Sequence, residues 1–387
     1  MDKYDFIETE LETRKSLHLL RRLRTIVPIS PAEVSLDGRA MLNFCSNDYM
    51  GLSKHPLLQE RAAEFAEKYG SGSTASRLVC GTYDCFDKVE KKLASLKGTE
   101  RTLIFNSGFQ ANISILPTLA DSRTLILSDW LNHNSIIQGS LLARCGKARF
   151  RHNDLAHLRQ LLEESRNKDY SRILIVTESV FSMDGDQSDI GKLVDLADEF
   201  QAILIVDEAH ATGVLGEQGM GLTCGKNVDV TMGTFGKAAG SFGSYIACSE
   251  KMRDYFVNCC GGFIYTTALP PPVIGAIDAA LDLIPTMAEE RRELRQKADF
   301  VRASLNEMGW STLGSTTQII PVIIGGEKET LGLSKWLEND GIFASAIRPP
   351  TVEKGYSRIR VTLSAAHTQA HVEKLVHSFR KWRESDS

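Results

Sequence analysis

No run of this chain is long and apolar enough to cross a bilayer, which argues against a membrane protein. Its first residues, MDKYDFIETELETRKSLHLLRRLR, also lack the apolar centre of a signal peptide, so a cytoplasmic location is expected. Cysteine is sparse and unpatterned. The eight cysteines include no C-x-x-C pair, and adjacent Cys259 and Cys260 are poorly placed for a disulfide, so reduced thiols and no metal site are expected. Neither sign of charge dominates: a net charge of −4 over 387 residues gives no reason to expect nucleic acid or an anionic membrane as a partner. No tandem repeat or low-complexity segment stands out. Two nucleotide-binding signatures are missing as well. Lys237 precedes Ala238, which breaks the G-x-x-x-x-G-K-[ST] pattern of a P-loop, and Gly216 to Gly221 does not form G-x-G-x-x-G after a strand.

What is present is an ordinary soluble composition, 42% hydrophobic and 24% charged, in a chain long enough for one large domain and a smaller one. The expected division is an N-terminal helix and short strand over 1–45, a large domain over 46–286 and a small α/β domain over 287–387. The most informative stretch runs from Ile203 to Ala247. One buried-type strand, Ile203 to Val206, ends on Asp207, with His210 just beyond; a second, around Val230 to Thr234, ends in a Gly-rich turn that presents Lys237. In a parallel α/β sheet, ligands gather at the carboxyl ends of the strands. Singly, Asp207 could be a helix cap and Lys237 a solvated surface charge. Together they are what pyridoxal phosphate (PLP) chemistry needs: a lysine to hold the aldehyde as a Schiff base, and a carboxylate to keep the pyridine nitrogen protonated.

Other stretches can be read in chain order. Apolar residues from Phe6 to Leu23 recur at roughly helical spacing, predicting an amphipathic helix that ends in Arg21, Arg22 and Arg24. MLNFCSNDYMGL, Met41 to Leu52, is a short strand entering a polar turn that holds Asn47, and Tyr69 to Gly81 is rich in glycine and serine. TLIFNSGFQAN, Thr102 to Asn112, reads as strand, tight turn and helix start, where the N–H groups of Ser107, Gly108 and Phe109 make a natural anion site. A strand over Leu125 to Ser128 leads into DWLNHNS, which carries His133. The strand Arg172 to Glu178 leads into SVFSMDG, which carries Ser182, with Glu178 read as a brace for that loop; His152 opens a helix and reads as structural. A long charged helix, about Met287 to Met308, leads to strands near Gln318 to Ile324, Ile342 to Ala346 and Arg358 to Leu363, and to a last helix from about Thr368 to Lys381. In AIRPPTV the prolines hold the backbone extended and leave Arg348 on a stiff segment, a natural clamp for a carboxylate.

VDEAHATGVLGEQGMG and TFGKAAGSFG, with SGFQAN and its neighbouring motifs, resemble the α-oxoamine synthase family of PLP enzymes over nearly the whole chain. The resemblance implies PLP-dependent transferase fold type I, an α/β architecture with a mainly parallel seven-stranded sheet wrapped by helices, a smaller C-terminal α/β domain, and a homodimer. It implies that His133 lies flat on the pyridine ring and that Ser182 and His210 meet the phenolic oxygen. Ser107, Gly108, Phe109 and Thr234 would hold the phosphate, with Thr266 and Thr267 reaching that of the neighbouring subunit. Asn47, Ser76, Arg348 and Thr351 would lie at the amino-acid substrate, and Arg21 at the acyl group. AIRPPTV and RVTLSAAH are most similar to the branch that condenses L-alanine with a pimeloyl thioester, on coenzyme A or a carrier protein, in biotin biosynthesis; Glu353 stands where that branch often has proline. Another branch, such as a glycine acetyltransferase or a serine palmitoyltransferase, and a non-catalytic subunit stay open as alternatives.

Overall fold

Short runs of branched apolar residues, such as ILIVTE and ILIVD, are suited to strands buried on both faces. In the computed structural model, which describes residues 2–385, they form the middle of a seven-stranded sheet. Its strands are β1 (Arg101–Phe105), β2 (Thr124–Asp129), β3 (Gly146–Phe150), β4 (Arg172–Glu178), β5 (Ile203–Asp207), β6 (Val230–Thr234) and β7 (Ser244–Cys248). They lie in the order β1-β7-β6-β5-β4-β2-β3. β7 runs antiparallel to both β1 and β6, and the other neighbours are parallel. The fold is therefore the mainly parallel α/β sheet of fold type I. Successive strand residues point to opposite faces, so the sheet builds two cores. One packs Leu174, Val176 and Ile205 with Ile115, Leu116 and Phe256; the other packs Ile175, Leu204 and Val206 with Leu158, Leu162 and Leu193.

The register positions the site. Glu178 on β4 is level with Asp207 on β5, and Asp207 is level with Met232 on β6. Two neighbouring strands thus end at one height beside the middle of β6, at the carboxyl edge where ligands gather in such sheets.

This sheet belongs to a compact unit of residues 48–182 and 186–291; a second unit comprises the residues up to Asn47, 183–185 and 292–387. The second unit holds a three-stranded antiparallel sheet ordered Ile319–Gly325, Ser357–Thr362, Ser345–Ile347, and a four-stranded one in which Ile342–Phe343 pairs with Arg39–Asn43. The strand expected over Ile342 to Ala346 is thus two short strands in two sheets. The N-terminal helix is also shorter than its apolar spacing predicts. It covers Asp5–Ser16 and buries none of its side chains, so no packed face extends it. His18 turns to φ 57°, Arg21 donates to Thr351 Oγ1 at 3.0 Å and Arg24 pairs with Glu338 at 2.6 Å.

Candidate active site

Asp207 ends β5 nearly buried, and both its oxygens are held. Oδ1 accepts the N–H of Ala209 at 2.8 Å, and Oδ2 accepts the side-chain amide of Asn112 at 2.8 Å. The same Asn112 nitrogen donates to Ser135 Oγ at 3.0 Å, and that hydroxyl lies 2.7 Å from His133 Nδ1. The backbone N–H of Ser135 also points at His133 Nδ1, at 3.2 Å, so this nitrogen is an acceptor and a neutral ring carries its proton on Nε2. Burial, with the nearby Lys237 charge and against the pull of Asp207, holds His133 below the ordinary imidazole value, which favours that neutral form. The backbone N–H of His133 donates to Glu178 Oε1 at 2.6 Å. Glu178 therefore braces the turn that carries His133. Burial first, and then the Asp207 charge beside it, raise Glu178 well above the usual carboxylic range.

Lys237 leaves β6 on a turn that only glycine can close. Gly240 sits at φ +62°, and a Cβ there would stand 2.5 Å from the backbone of Leu52. Lys237 Nζ lies 2.9 Å from His210 Nε2, whose other ring nitrogen is 2.6 Å from the hydroxyl of fully buried Tyr49. Opposite the strand ends the helix Gly108–Leu119 begins, with Ser107 Oγ capping it by accepting the N–H of Gln110 at 3.2 Å. The first N–H groups of this helix have no partner inside it, and the dipole adds positive potential there.

Gly108, Phe109, His133, Asp207, His210, Thr234 and Lys237 line one cavity of about 220 Å³, together with Asn112, Ser135, Glu178, Ala209 and Met232. The set fits PLP: a helix start for the phosphate, an amine for the aldehyde, and a buried carboxylate for a protonated ring nitrogen. Of these lining residues, Thr234 donates its hydroxyl to the Gly243 carbonyl at 2.9 Å. Other expected residues are not among those lining the cavity. Asn106 donates to Thr266 Oγ1 at 3.0 Å and to the Thr267 carbonyl at 2.9 Å, and Thr267 bridges to Ser76. Ser107 and Ser182 are not among the cavity's lining residues. In the second unit Arg348 donates to the His18 carbonyl, and Asn47 Oδ1 accepts both terminal nitrogens of Arg360, at 3.2 and 3.3 Å. Arg360, Tyr49, Asn112 and Ser135 escaped the sequence reading. All four lie inside motifs it did use: Tyr49 in SNDY, Asn112 closing SGFQAN, Ser135 in HNS and Arg360 opening RVTLSAAH.

The family model for aminotransferases of class I and II matches residues 39–379, and the chain belongs to that family. A solved structure of SPT with a PLP internal aldimine superposes with a TM-score of 0.91 at 27% identity, covering 99% of this chain and 98% of that one. A Desulfosudis oleivorans protein provisionally named as an 8-amino-7-oxononanoate synthase is 59% identical over 99% of this chain and 100% of its own length. The 8-amino-7-oxononanoate synthase of Gluconacetobacter diazotrophicus is 49% identical over 97% of this chain and 96% of its own. Within the broad family the chain therefore groups with the 8-amino-7-oxononanoate synthases.

Proposed function

We propose that this protein is a PLP-dependent acyltransferase of biotin biosynthesis. It condenses L-alanine with a pimeloyl thioester to give 8-amino-7-oxononanoate, CO2 and free thiol. The observation that carries this reading is the single cavity lined by both Lys237 and Asp207, in a chain of this family. When bound, PLP supplies an electron sink beside the Cα of the amino acid.

The chain's own groups have separate tasks. Lys237 would hold the cofactor's aldehyde, and its Nζ, 2.9 Å from His210 Nε2, would take the Cα proton of the amino acid. Asp207 keeps a proton on the pyridine nitrogen. Asn112 and the Ala209 N–H hold its carboxylate in place. His133, kept in one tautomer by Ser135, would stack against the cofactor's ring. The start of the helix at Ser107, Gly108 and Phe109 takes the phosphate. Ser182 belongs to the phenolic-oxygen contacts, and Thr234 to those of the phosphate. Substrate contacts are assigned to Asn47, Ser76, Arg348, Thr351 and Arg21, and Arg360 joins them through its hydrogen bonds to Asn47.

The working form is a cytoplasmic homodimer, with Thr266 and Thr267 reaching the phosphate of the other copy. Exposed Leu78, Val79 and Tyr265 support that assembly, because they leave an apolar surface on segments joined by the Ser76–Thr267 bridge. Sedimentation should then report two copies.

The reading is tested by the absorption spectrum of the purified protein with PLP. A visible band that moves on adding L-alanine, and product on adding pimeloyl-CoA, are expected. Lys237→Ala should lose both the band and turnover. A band that ignores alanine but answers glycine or serine would move the substrate, and activity near wild type in Lys237→Ala would overturn the mechanism.

A further inference from the structure

His152 lies outside the cavity lining, yet it is held by two carboxylates. Its Nδ1 is 2.9 Å from Asp129 Oδ1, and its Nε2 is 2.8 Å from Asp186 Oδ2. Its ring meets Phe181 edge-on, with centroids 4.4 Å apart. A neutral imidazole has one N–H to give, whereas an imidazolium donates from both nitrogens, and two facing carboxylates select the latter. Burial alone would pull the cation down, but its hydrogen bonds to Asp129 and Asp186, with the charges of both, together outweigh it and push His152 up to about 10.

Both carboxylates root a segment of the site. Asp129 is the last residue of β2 and opens the turn that carries His133. Its Oδ1 also accepts the N–H of Leu131 at 2.8 Å, and its Oδ2 accepts that of Asn153 at 2.9 Å. Asp186 accepts the N–H of Phe181, one residue before Ser182, on its carbonyl at 3.1 Å, and the amide of Asn153 on Oδ2 at 2.8 Å. The imidazolium thus ties the root of the His133 turn to the strand exit that bears Ser182. Glu178 grips the His133 turn from its far end, through the backbone N–H of His133.

We propose that His152 is a positioning residue for the reaction: as a cation between Asp129 and Asp186 it fixes His133 and Ser182 relative to each other. This rests on the active-site reading above. The bridge touches neither substrate nor cofactor and acts only through the placement of the two segments. A displacement of His133 by a fraction of an ångström would tilt the group it stacks on, which makes kcat the sensitive quantity.

The test compares His152→Gln, Asp186→Asn and the double variant with wild type, after the wild-type protein has shown a PLP band and turnover. If wild type shows neither, the functional reading fails and the bridge is not at issue. With wild type active, His152→Gln should still fold and bind PLP. Its kcat should fall about 10–100-fold with KM for L-alanine little changed, and the circular dichroism of its PLP band should change. Asp186→Asn should reproduce the effect, and the double variant should be no worse than the stronger single. A purely structural role would lower the melting temperature while leaving kcat and the dichroism of the folded fraction as in wild type. That result, or effects that multiply in the double variant, would overturn the proposal. Should His152→Gln not fold, Asp186→Asn alone decides it by the same two readouts.

Discussion

Lys97 and Glu208 face each other in the core behind the cavity, 1% and 0% exposed, with 2.6 Å between Nζ and Oε2. Lys97 also donates to the Met220 carbonyl at 2.6 Å and to Thr223 Oγ1 at 3.2 Å, while Glu208 accepts both the N–H and the hydroxyl of Thr223, at 2.8 and 2.7 Å. Burial pulls the ammonium down most, but the Glu208 charge and hydrogen bond, together with Tyr245 and Cys224, outweigh it and raise Lys97 above its ordinary value. Lys97→Met would leave a carboxylate with hydrogen bonds but no counter-charge, and breaking one side of such a pair destabilises by about 3–5 kcal/mol. At about 2–4 °C per kcal/mol for a domain of this size, melting should fall by roughly 6–20 °C. Removing both charges in Lys97→Met/Glu208→Leu should do less harm than the sum of the singles, with a coupling of about 2–3 kcal/mol. Urea unfolding of the four proteins measures it. Additive single effects, or a loss in Lys97→Met below about 1 kcal/mol, would refute the account of the pair as one electrostatic unit.

Two further predictions concern histidine and amide partners. His367 is buried against Phe44, ring centroids 4.3 Å apart, and burial, then the nearby His371, lower it to about 4. Above pH 6.5 the folded and unfolded chains both hold it neutral; as pH falls from 6.5 towards 4 only the unfolded chain takes the proton, so stability drops by about 1.4 kcal/mol per pH unit from this group. Urea titrations at several acidic pH values should show a shallower dependence in His367→Gln than in wild type, and equal slopes would refute the assignment. Asn112→Leu removes the donor of both Asp207 and Ser135, so kcat should fall about 10–100-fold, while Ser135→Ala, which spares Asp207, should lose less. Steady-state kinetics on L-alanine and pimeloyl-CoA check both, and a reversed order would refute the chain of contacts.

Much of this is legible in the chain because the central strands are short apolar runs bounded by polar or glycine residues. The runs ILIVTE and ILIVD end where the structure ends them, at Glu178 and Asp207, and Lys237 follows β6 as its Gly-rich turn implies. Strand β7 is hidden, since SYIAC follows directly on that turn and carries no period to separate it from its surroundings. Long-range polar partners are hidden for another reason. Asn112 reaches Asp207 only because the helix after β1 packs on β6 and β7, beside β5 in the sheet, a relation set by crossovers and strand order rather than by local spacing. The choice of Arg348 followed the stiffness of its prolines. Strand pairing sets Arg360 instead on the central strand of its sheet, where its guanidinium meets Asn47.

The register of β4 against β5 imposes one more consequence. Glu178 and Asp207 are level on neighbouring parallel strands, so their side chains share a face and two buried carboxylates would repel. Asp207 has Asn112 and the Ala209 N–H to hold its charge, whereas Glu178 is raised well above the ordinary range by burial and by Asp207. The neutral acid still accepts the His133 N–H, a task that a carboxamide oxygen performs equally well. The register and burial therefore favour the neutral form of Glu178, beside the carboxylate proposed to face a protonated ring nitrogen. Glu178→Gln should keep kcat within about threefold of wild type, while Asp207→Asn should lose about 100-fold or more and shift the visible band of bound PLP. Turnover and spectra of the two folded variants decide it. If Glu178→Gln proves as inactive as Asp207→Asn, Glu178 works as an anion and the division of charge argued from the register is wrong.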